Sequence, residues 1–339
     1  MTQSTRIRHP SPKTLVPPVL LVLLIAGQAC LAAEDAAGGT TPPAWAYVVN
    51  PAVAASTTAA ENTDPTPLRV PGSKVRLTRA QTRDYFNVAD WHPDGHPPMP
   101  DIVAHGRAPD VQACGFCHLP NGQGRPENSG IAGLPAAYII QQVQDFASGK
   151  RHGSVPQHKP GMMMSALASK LSAADLRVAA DYFAQLKLKR WIRVVEAARV
   201  PRTHVAGAML AADEHGGREP IGQRILEVPE NLHRTELRDD ASGFIAYVPP
   251  GSIARGKLLA TTGDGRSAPC ISCHGAHLEG TALAPHLAGR SPSYLVRQLY
   301  DIQHGARNGA AVVPMKIIMA NLGMDDIVAI AAYAASLEP

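Results

Sequence analysis

The sequence has little cysteine outside two short patterns, little net charge and no long hydrophobic run. Apart from Cys30, its cysteines all lie in those patterns, so that none remains for a structural disulfide. The 32 basic and 28 acidic residues form no clustered basic stripe, which excludes the charge pattern of a nucleic-acid-binding protein. The chain also has no flavin or quinone-cofactor motif that would make it a dehydrogenase by itself.

An apolar run over 19–26 is too short for a comfortable membrane span. It follows three basic residues and precedes small residues up to Ala33, which is the pattern of a secretory signal peptide. We therefore predict a signal peptide over 1–33 and a periplasmic protein, with a retained membrane anchor as the alternative. Cleavage would remove three of the 32 basic residues and leave 29 against 28 acidic ones, a net charge of +1.

Cys30 lies inside this segment and is expected to leave with it. The alternative is a lipid-anchored cysteine. Gly27 disfavours that alternative, because a lipoprotein signal has an aliphatic residue at this place.

The chemistry of the chain is indicated by Cys-x-x-Cys-His, which occurs once from Cys114 and again from Cys270. Two thiols at this spacing can add to the two vinyl groups of one porphyrin edge, while the adjacent histidine binds the iron. A dithiol redox pair or a zinc site does not account for a histidine both times. We therefore predict two covalently bound haems c, with His118 and His274 as iron ligands and these attachment residues: Cys114, Cys117, Cys270 and Cys273.

The two motifs belong to an internal repeat at an offset of 156 residues. Over 114–151 and 270–307, 11 of 38 aligned positions are identical. Identical pairs outside the motifs include Gly133 with Gly289, Tyr138 with Tyr294, Gln142 with Gln298, Asp145 with Asp301 and Arg151 with Arg307. Because the similarity extends beyond the haem motifs, we predict two domains of the same fold.

Both repeats carry helix signals. In the second repeat, Ser291 begins a helix as N-cap, Pro292 lies in its first turn and Gly305 ends it. The first repeat has the same pattern over 135–149. A final alanine-rich helix follows in each repeat at an offset of 151, and Ser172 marks its start in the first.

A haem that only carries electrons needs a second axial ligand, and the register of the repeat selects a methionine. Met164 and Met315 align, each seven residues before the leucine that begins the final helix and each after a loop containing proline or glycine. A thioether opposite the histidine raises the reduction potential and leaves no open iron site. The alternatives are Met162 and Met163 and these histidines: His152, His158, His277, His286 and His304.

Two smaller features allow more than one interpretation. A proline-rich segment brings His92, His96 and Met99 close together, as a copper site would, although its prolines favour a rigid surface wrap. Arg151 and Arg307, just past the helices, are candidates either for binding haem propionates or for solvation.

Two segments lie outside the repeats. The first, 34–83, is rich in proline, alanine and threonine and is predicted to be an extended or flexible lead. The second, 191–250, is longer than a simple linker and contains strand-like runs over 221–228 and 244–248. We expect this middle segment to pack across the domains.

Each repeat combines CxxCH, a middle helix, a methionine-bearing loop and a final helix ending in AADYFAQL or IAAYAASL, and so resembles the class I cytochrome c fold. The tandem is similar to the dihaem cytochrome c4 family. The resemblance implies an all-α fold of two class I cytochrome c domains, over 84–190 and 251–339, with irregular segments before and between them. It also implies a periplasmic electron carrier with one low-spin haem per domain and these axial pairs: His118 with Met164 and His274 with Met315.

Three functions fit this pattern, and the first is an electron carrier without catalytic activity of its own. The second is the cytochrome subunit of a periplasmic or membrane-bound dehydrogenase or oxidase complex, in which the extra segments dock on a catalytic subunit. The third, a dihaem peroxidase, requires one haem with an open distal side, which the aligned methionines disfavour. Partners are therefore expected among terminal oxidases, reductases and dehydrogenases, with membrane-complex association under the second function and no nucleic acid under any.

Overall fold

The structure, a computed structural model, describes these residues: 1–2, 41–50 and 64–339. The predicted signal peptide beyond its first two residues, Cys30 included, and part of the predicted lead over 34–83 lie outside the described residues. No single described helix is both long and apolar enough to span a membrane, while one sharply bent helix pair meets both criteria by length and composition alone.

The first repeat, together with the chain just before it, is a set of short helices around two clusters of buried apolar residues. Its helices are α1 (Arg79–Thr82), α2 (Asp101–Ala104), α3 (Cys114–His118), α4 (Ala136–Ala147), α5 (Lys159–Ala168) and α6 (Ala173–Ala184), with a 3₁₀ turn at Pro93–Gly95. The predicted helix over 135–149 is confirmed as α4. Ser172 caps α6 by accepting a hydrogen bond from the backbone N–H of Asp175. Tyr182 and Phe183 of α6 are buried in the core beneath α2 and α4.

The middle segment is the part for which the all-α prediction is wrong. It contains β1 (Ile192–Glu196), β2 (Arg199–Pro201), β3 (Thr203–Ala206), β4 (Met209–Ala212), β5 (Arg218–Pro220), β6 (Leu226–Pro229), the helix α7 (Leu232–Glu236) and β7 (Phe244–Val248). The structure is therefore mixed over the residues that it describes, with 38% helix and 12% strand. The predicted run over 244–248 is β7, whereas only the end of the run over 221–228 enters a strand, as β6.

The strands pair into one three-stranded sheet and two ribbons. In the sheet, β7 lies between β1, to which it is parallel, and β6, to which it is antiparallel. β2 pairs with β5, and β3 with β4, both antiparallel. Alternate residues Phe244, Ala246 and Val248 are fully buried, which is the period-two pattern of a strand with one face in a core.

The second repeat is also helical, and two of its helices cross at close range. Its helices are α8 (Ser252–Thr262), α9 (Ile271–His274), α10 (Pro292–Gln303), α11 (Val313–Met319) and α12 (Met324–Ser336), with 3₁₀ turns at Gly263–Gly265 and Ala310–Val312. The predicted helix from Ser291 is confirmed as α10, with Ser291 as its N-cap. α8 and α12 approach so closely that a Cβ on Gly256 would lie 1.9 Å from the backbone oxygen of Ala329. Glycine is therefore required at this crossing.

Candidate functional site

The first CxxCH motif forms α3 in the wall of a cavity of about 360 Å³. Nδ1 of His118 lies 2.8 Å from the backbone oxygen of Ser129, which leaves Nε2 as the nitrogen free to bind a metal. Burial, opposed by the bond to Ser129 and aided by the charge of Arg151, lowers the pKa of His118 and keeps its ring neutral. Burial also raises the pKa of Cys114 to about 12, and neither it nor Cys117 is in a disulfide, which argues against a reactive dithiolate.

The second motif, which ends in α9, repeats this histidine geometry. Nδ1 of His274 lies 2.8 Å from the backbone oxygen of Pro285, the residue that aligns with Ser129 of the first repeat. Burial lowers the pKa of His274 despite the bond to Pro285. The hydroxyl of Thr281 donates to the backbone oxygen of Cys273 at 2.6 Å and fixes the loop that follows the motif.

The predicted distal methionines lie in short helices, where the sequence predicted loops. Met164 is partly buried in α5 and lines the first cavity together with Met163, whereas Met162 is 56% exposed. Met315 is partly buried in α11, against the core of the second repeat, and Met319 is fully buried in that core. Met164 thus combines the register of the repeat with a place in the first cavity, whereas Met315 has the register and a contact with the core of the second repeat.

Two of the alternative histidines, His152 and His158, line the first cavity, and His158 is the better placed because it is buried. Its Nε2 is buried and has no hydrogen-bond partner among the described residues. Burial, with a smaller contribution from Arg297, lowers its pKa to about 3. The remaining alternatives are partly or fully exposed: His152, His277, His286 and His304.

Arg151 and Arg307 lie side by side at the boundary between the repeats and are each only 7% exposed, so the solvated interpretation is wrong. The side chain of each arginine donates hydrogen bonds to residues of the other repeat. Arg151 donates to the hydroxyl of Tyr294 at 3.1 Å, and Arg307 donates to the hydroxyl of Tyr138 at 2.7 Å. The side-chain oxygens of the two aligned glutamines accept further bonds from both arginines.

Neither guanidinium pairs with a carboxylate within the part of the chain that the structure describes, and Nε of Arg307 has no partner there. Burial raises the pKa of Tyr294, but the charges of Arg151 and Arg307 outweigh it and lower the value to about 8. Two buried like charges without an anion are costly, so this boundary suits a group with acidic substituents. The cavity, its thiols, its free imidazole nitrogen and these arginines together fit a haem with its propionates.

Two further arginines hold the repeats together, and the repeat analysis did not identify them. Arg290 is buried and donates to the backbone oxygens of Gly130, at 2.7 Å, and Ala132, at 3.0 Å, in the first repeat. Arg297 is buried on α10 and donates to the backbone oxygens of Ala46 and Pro126. The signal for them was a difference between repeats, because the positions aligned with both residues are uncharged in the first repeat.

The middle segment covers the first haem motif but not the second. Arg238 stacks on the ring of Phe116 at 3.4 Å and donates to its backbone oxygen at 2.7 Å, while Tyr85 packs on the same ring. Residues 115–128 are consequently buried or partly buried throughout, whereas most of the aligned residues 271–284 are exposed or partly exposed. The prediction that the middle segment packs across the domains is confirmed, since Glu227 also accepts a bond from Ser291 at 2.7 Å.

The chain is similar to cytochromes c by a family model and by a relative of more than 30% identity. A family model described as Cytochrome c matches residues 253–338. The chain is 40% identical over 238 residues to a cytochrome c4 from Pseudomonas aeruginosa, a match that covers 68% of this chain and 86% of the relative. It is 27% identical over 207 residues to a thiosulfate dehydrogenase electron acceptor from Thiomonas intermedia, covering 59% of this chain and 67% of that protein. Among solved structures, reduced cytochrome c4 from Pseudomonas stutzeri is 23% identical with a TM-score of 0.44, over 66% of this chain and 93% of that one.

Proposed function

The chain belongs to the cytochrome c4 family, and we propose that its two repeats each hold one haem c and pass electrons between redox proteins in the periplasm. The duplicated histidine geometry carries this proposal, because His118 and His274 both direct Nδ1 to a backbone oxygen and leave Nε2 free. Membership of the family establishes covalently bound haem c and an electron-transfer role rather than a catalytic one.

The haem, when bound, supplies the one-electron iron couple, and the chain supplies attachment, orientation and electrostatics. Under the proposal Cys114, Cys117, Cys270 and Cys273 form the thioether bonds, and His118 and His274 are the proximal ligands. Met164 and Met315 would each supply the second iron ligand of their repeat. The backbone oxygens of Ser129 and Pro285 fix the plane and tautomer of each imidazole.

The arginine, tyrosine and glutamine network supports transfer between the two sites. Each tyrosine hydroxyl is held by the arginine of the other repeat, so that neither site can move without breaking buried bonds of its neighbour. A buried boundary also excludes water, whose reorganisation opposes charge transfer. We infer that the two repeats form one rigid unit, which keeps the two haem sites in a fixed arrangement for electron transfer.

The test is an optical titration of holoprotein matured in a host with haem-attachment machinery. We expect two haems per chain by pyridine haemochrome, both low-spin, with complete reduction and reoxidation by one-electron mediators. One haem per chain, or high-spin features in the oxidised spectrum, would contradict the proposal of an electron carrier. Peroxidase activity would then be assayed next.

We further propose that redox proteins dock at the second repeat, because the loop after its CxxCH motif is open. Leu283 in this loop is 86% exposed, and it follows Thr281, whose hydroxyl bonds the backbone of Cys273. The equivalent loop of the first repeat lies under the middle segment. An apolar residue beside an open haem motif is what a short-lived electron-transfer contact requires.

Replacing Leu283 by Glu should therefore slow electron uptake from a thiosulfate dehydrogenase by about tenfold, the rate equivalent of about 1.4 kcal/mol. Stopped-flow absorbance measures the rate. Reduction by ascorbate should not change, because the small reductant does not need the docking surface. The matched control is Val178→Glu, at an exposed apolar residue of α6 in the first repeat. Equal slowing in both variants would contradict docking at the second repeat.

A second candidate function is that of a subunit in a dehydrogenase complex. It is favoured by the middle segment, which adds strands absent from both repeats, and by the relative named as a thiosulfate dehydrogenase electron acceptor. Affinity purification of the untruncated chain from its source distinguishes the two. If a large subunit copurifies in stoichiometric amount and stays bound at high salt, the complex is supported. If the cytochrome is recovered alone, the free carrier is supported.

A further inference from the structure

A cluster of His92, Asp239 and Asp240 lies outside both haem sites. Nε2 of His92 is 2.9 Å from Oδ1 of Asp239 and 4.0 Å from Oδ1 of Asp240. All three ligand atoms lie within 4.8 Å of one another. The sequence placed His92 beside His96 and Met99, but the structure brings it instead to two carboxylates nearly 150 residues further along the chain.

Asp240 is the observation that points to a ligand. The residue Asp240 is 5% exposed, and its atom Oδ1 is buried with no hydrogen-bond partner among the described residues. An unpaired buried carboxylate oxygen is destabilising, and a bound cation would compensate for it. Both oxygens of Asp239 accept hydrogen bonds, Oδ2 from Arg234 and Oδ1 from the N–H of Ala241, and Oδ1 also faces Nε2 of His92 at 2.9 Å.

We propose that His92, Asp239 and Asp240 bind one divalent transition-metal ion of the zinc class. An imidazole nitrogen and two carboxylate oxygens are a donor set that Zn²⁺ accepts, at about 2.0–2.2 Å from each. Ligand atoms at that distance from a common ion lie roughly 3–4 Å apart, as Nε2 of His92 does from both carboxylates. The nitrogen donor disfavours Mg²⁺ and Ca²⁺, which prefer oxygen ligands alone.

The site joins two segments that cover the first repeat. Trp91 donates its indole N–H to the backbone oxygen of Leu237 at 2.7 Å, next to Arg238, which stacks on Phe116. His92 is partly exposed and borders a cleft of about 770 Å³, through which an ion can enter. A metal bound here would stabilise the contact between the two segments that cover the first haem motif, without contacting either haem.

Isothermal titration of the chelator-treated holoprotein with Zn²⁺ tests the proposal, with zinc and iron counted by mass spectrometry. We expect one Zn²⁺ per chain in addition to two irons, no response to Mg²⁺, and a raised unfolding temperature when Zn²⁺ is present. His92→Gln and Asp240→Asn should each weaken binding by at least about tenfold. The control His204→Gln removes an exposed histidine whose ring pairs with Asp213, far from this cluster in sequence, and it should bind Zn²⁺ as the parent does.

Asp240→Asn keeps the test decisive even if His92→Gln fails to fold. The carboxylate of Asp240 has an unpartnered oxygen, so the variant should be at least as stable as the parent without metal and should lose only the stabilisation by Zn²⁺. It also leaves the contact between His92 and Asp239 in place. Stoichiometric binding that survives Asp240→Asn, or the absence of any stoichiometric binding to the parent, would overturn the proposal.

Discussion

Met164→Ala is expected to remove half of the weak far-red band that marks methionine bound to ferric haem. It should also lower one of the two reduction potentials by on the order of 0.1 V, within the range of about 0.8 V that axial ligands span. Met315→Ala should remove the other half. The physical reason is that a thioether favours ferrous iron, and the vacated position would be taken by water or by another side chain. Absorbance of the oxidised protein and a potentiometric titration measure both effects.

The neighbouring methionines provide matched controls. Met162→Ala should change neither the band nor the potentials, because Met162 is 56% exposed. Met163→Ala is the sharper comparison, since Met163 lines the same cavity as Met164. Loss of half of the band in the Met163 variant alone would identify Met163, rather than Met164, as the iron ligand. If neither Met163→Ala nor Met164→Ala changed the band, His158 would be the residue to replace next, because its Nε2 is buried and has no hydrogen-bond partner among the described residues.

The repeat made most of the helical fold predictable from the sequence. Helices α4, α6, α10 and α12 have periodic apolar faces, and their ends carry signals such as Ser172 and Ser291 that act on the nearest turn. The motif also placed a histidine directly after each cysteine pair, but the backbone oxygens that orient its ring, at Ser129 and Pro285, lie 11 residues further along and were not predicted. Local signals are sufficient where the interacting residues are close in sequence.

The middle segment could not be predicted in this way, because its partners are distant. β1 pairs in parallel with β7, so that Ile192 lies beside Phe244 with the whole segment between them. No local turn marks such a pair. The contact of His92 with Asp239 has the same character, since neither residue has a neighbour in sequence that indicates the other. The all-α prediction failed at this segment because it extended the fold of the repeats to residues outside them.

Arg307→Gln is expected to have the second large effect. Arg307 is buried beside Arg151 and donates to the hydroxyl of Tyr138 at 2.7 Å, so its loss leaves that hydroxyl without its donor. We expect the free energy of unfolding to fall by about 3 kcal/mol. Removing a buried positive charge should also lower the haem potentials by at least about 50 mV, because the cation disfavours the ferric state. Thermal unfolding followed by circular dichroism and a potentiometric titration measure these changes.

Arg307→Lys and Arg177→Gln separate charge from hydrogen bonding. Lysine keeps the positive charge but cannot reproduce the planar fork of donors, so it should restore most of the potential and little of the stability. Arg177 is exposed on α6, and its replacement should change neither quantity. If Arg307→Gln left both potentials at the parent values, the buried arginines would not be near the propionates. The network between Tyr138 and Tyr294 would then hold the repeats together without affecting the reduction potentials of the haems.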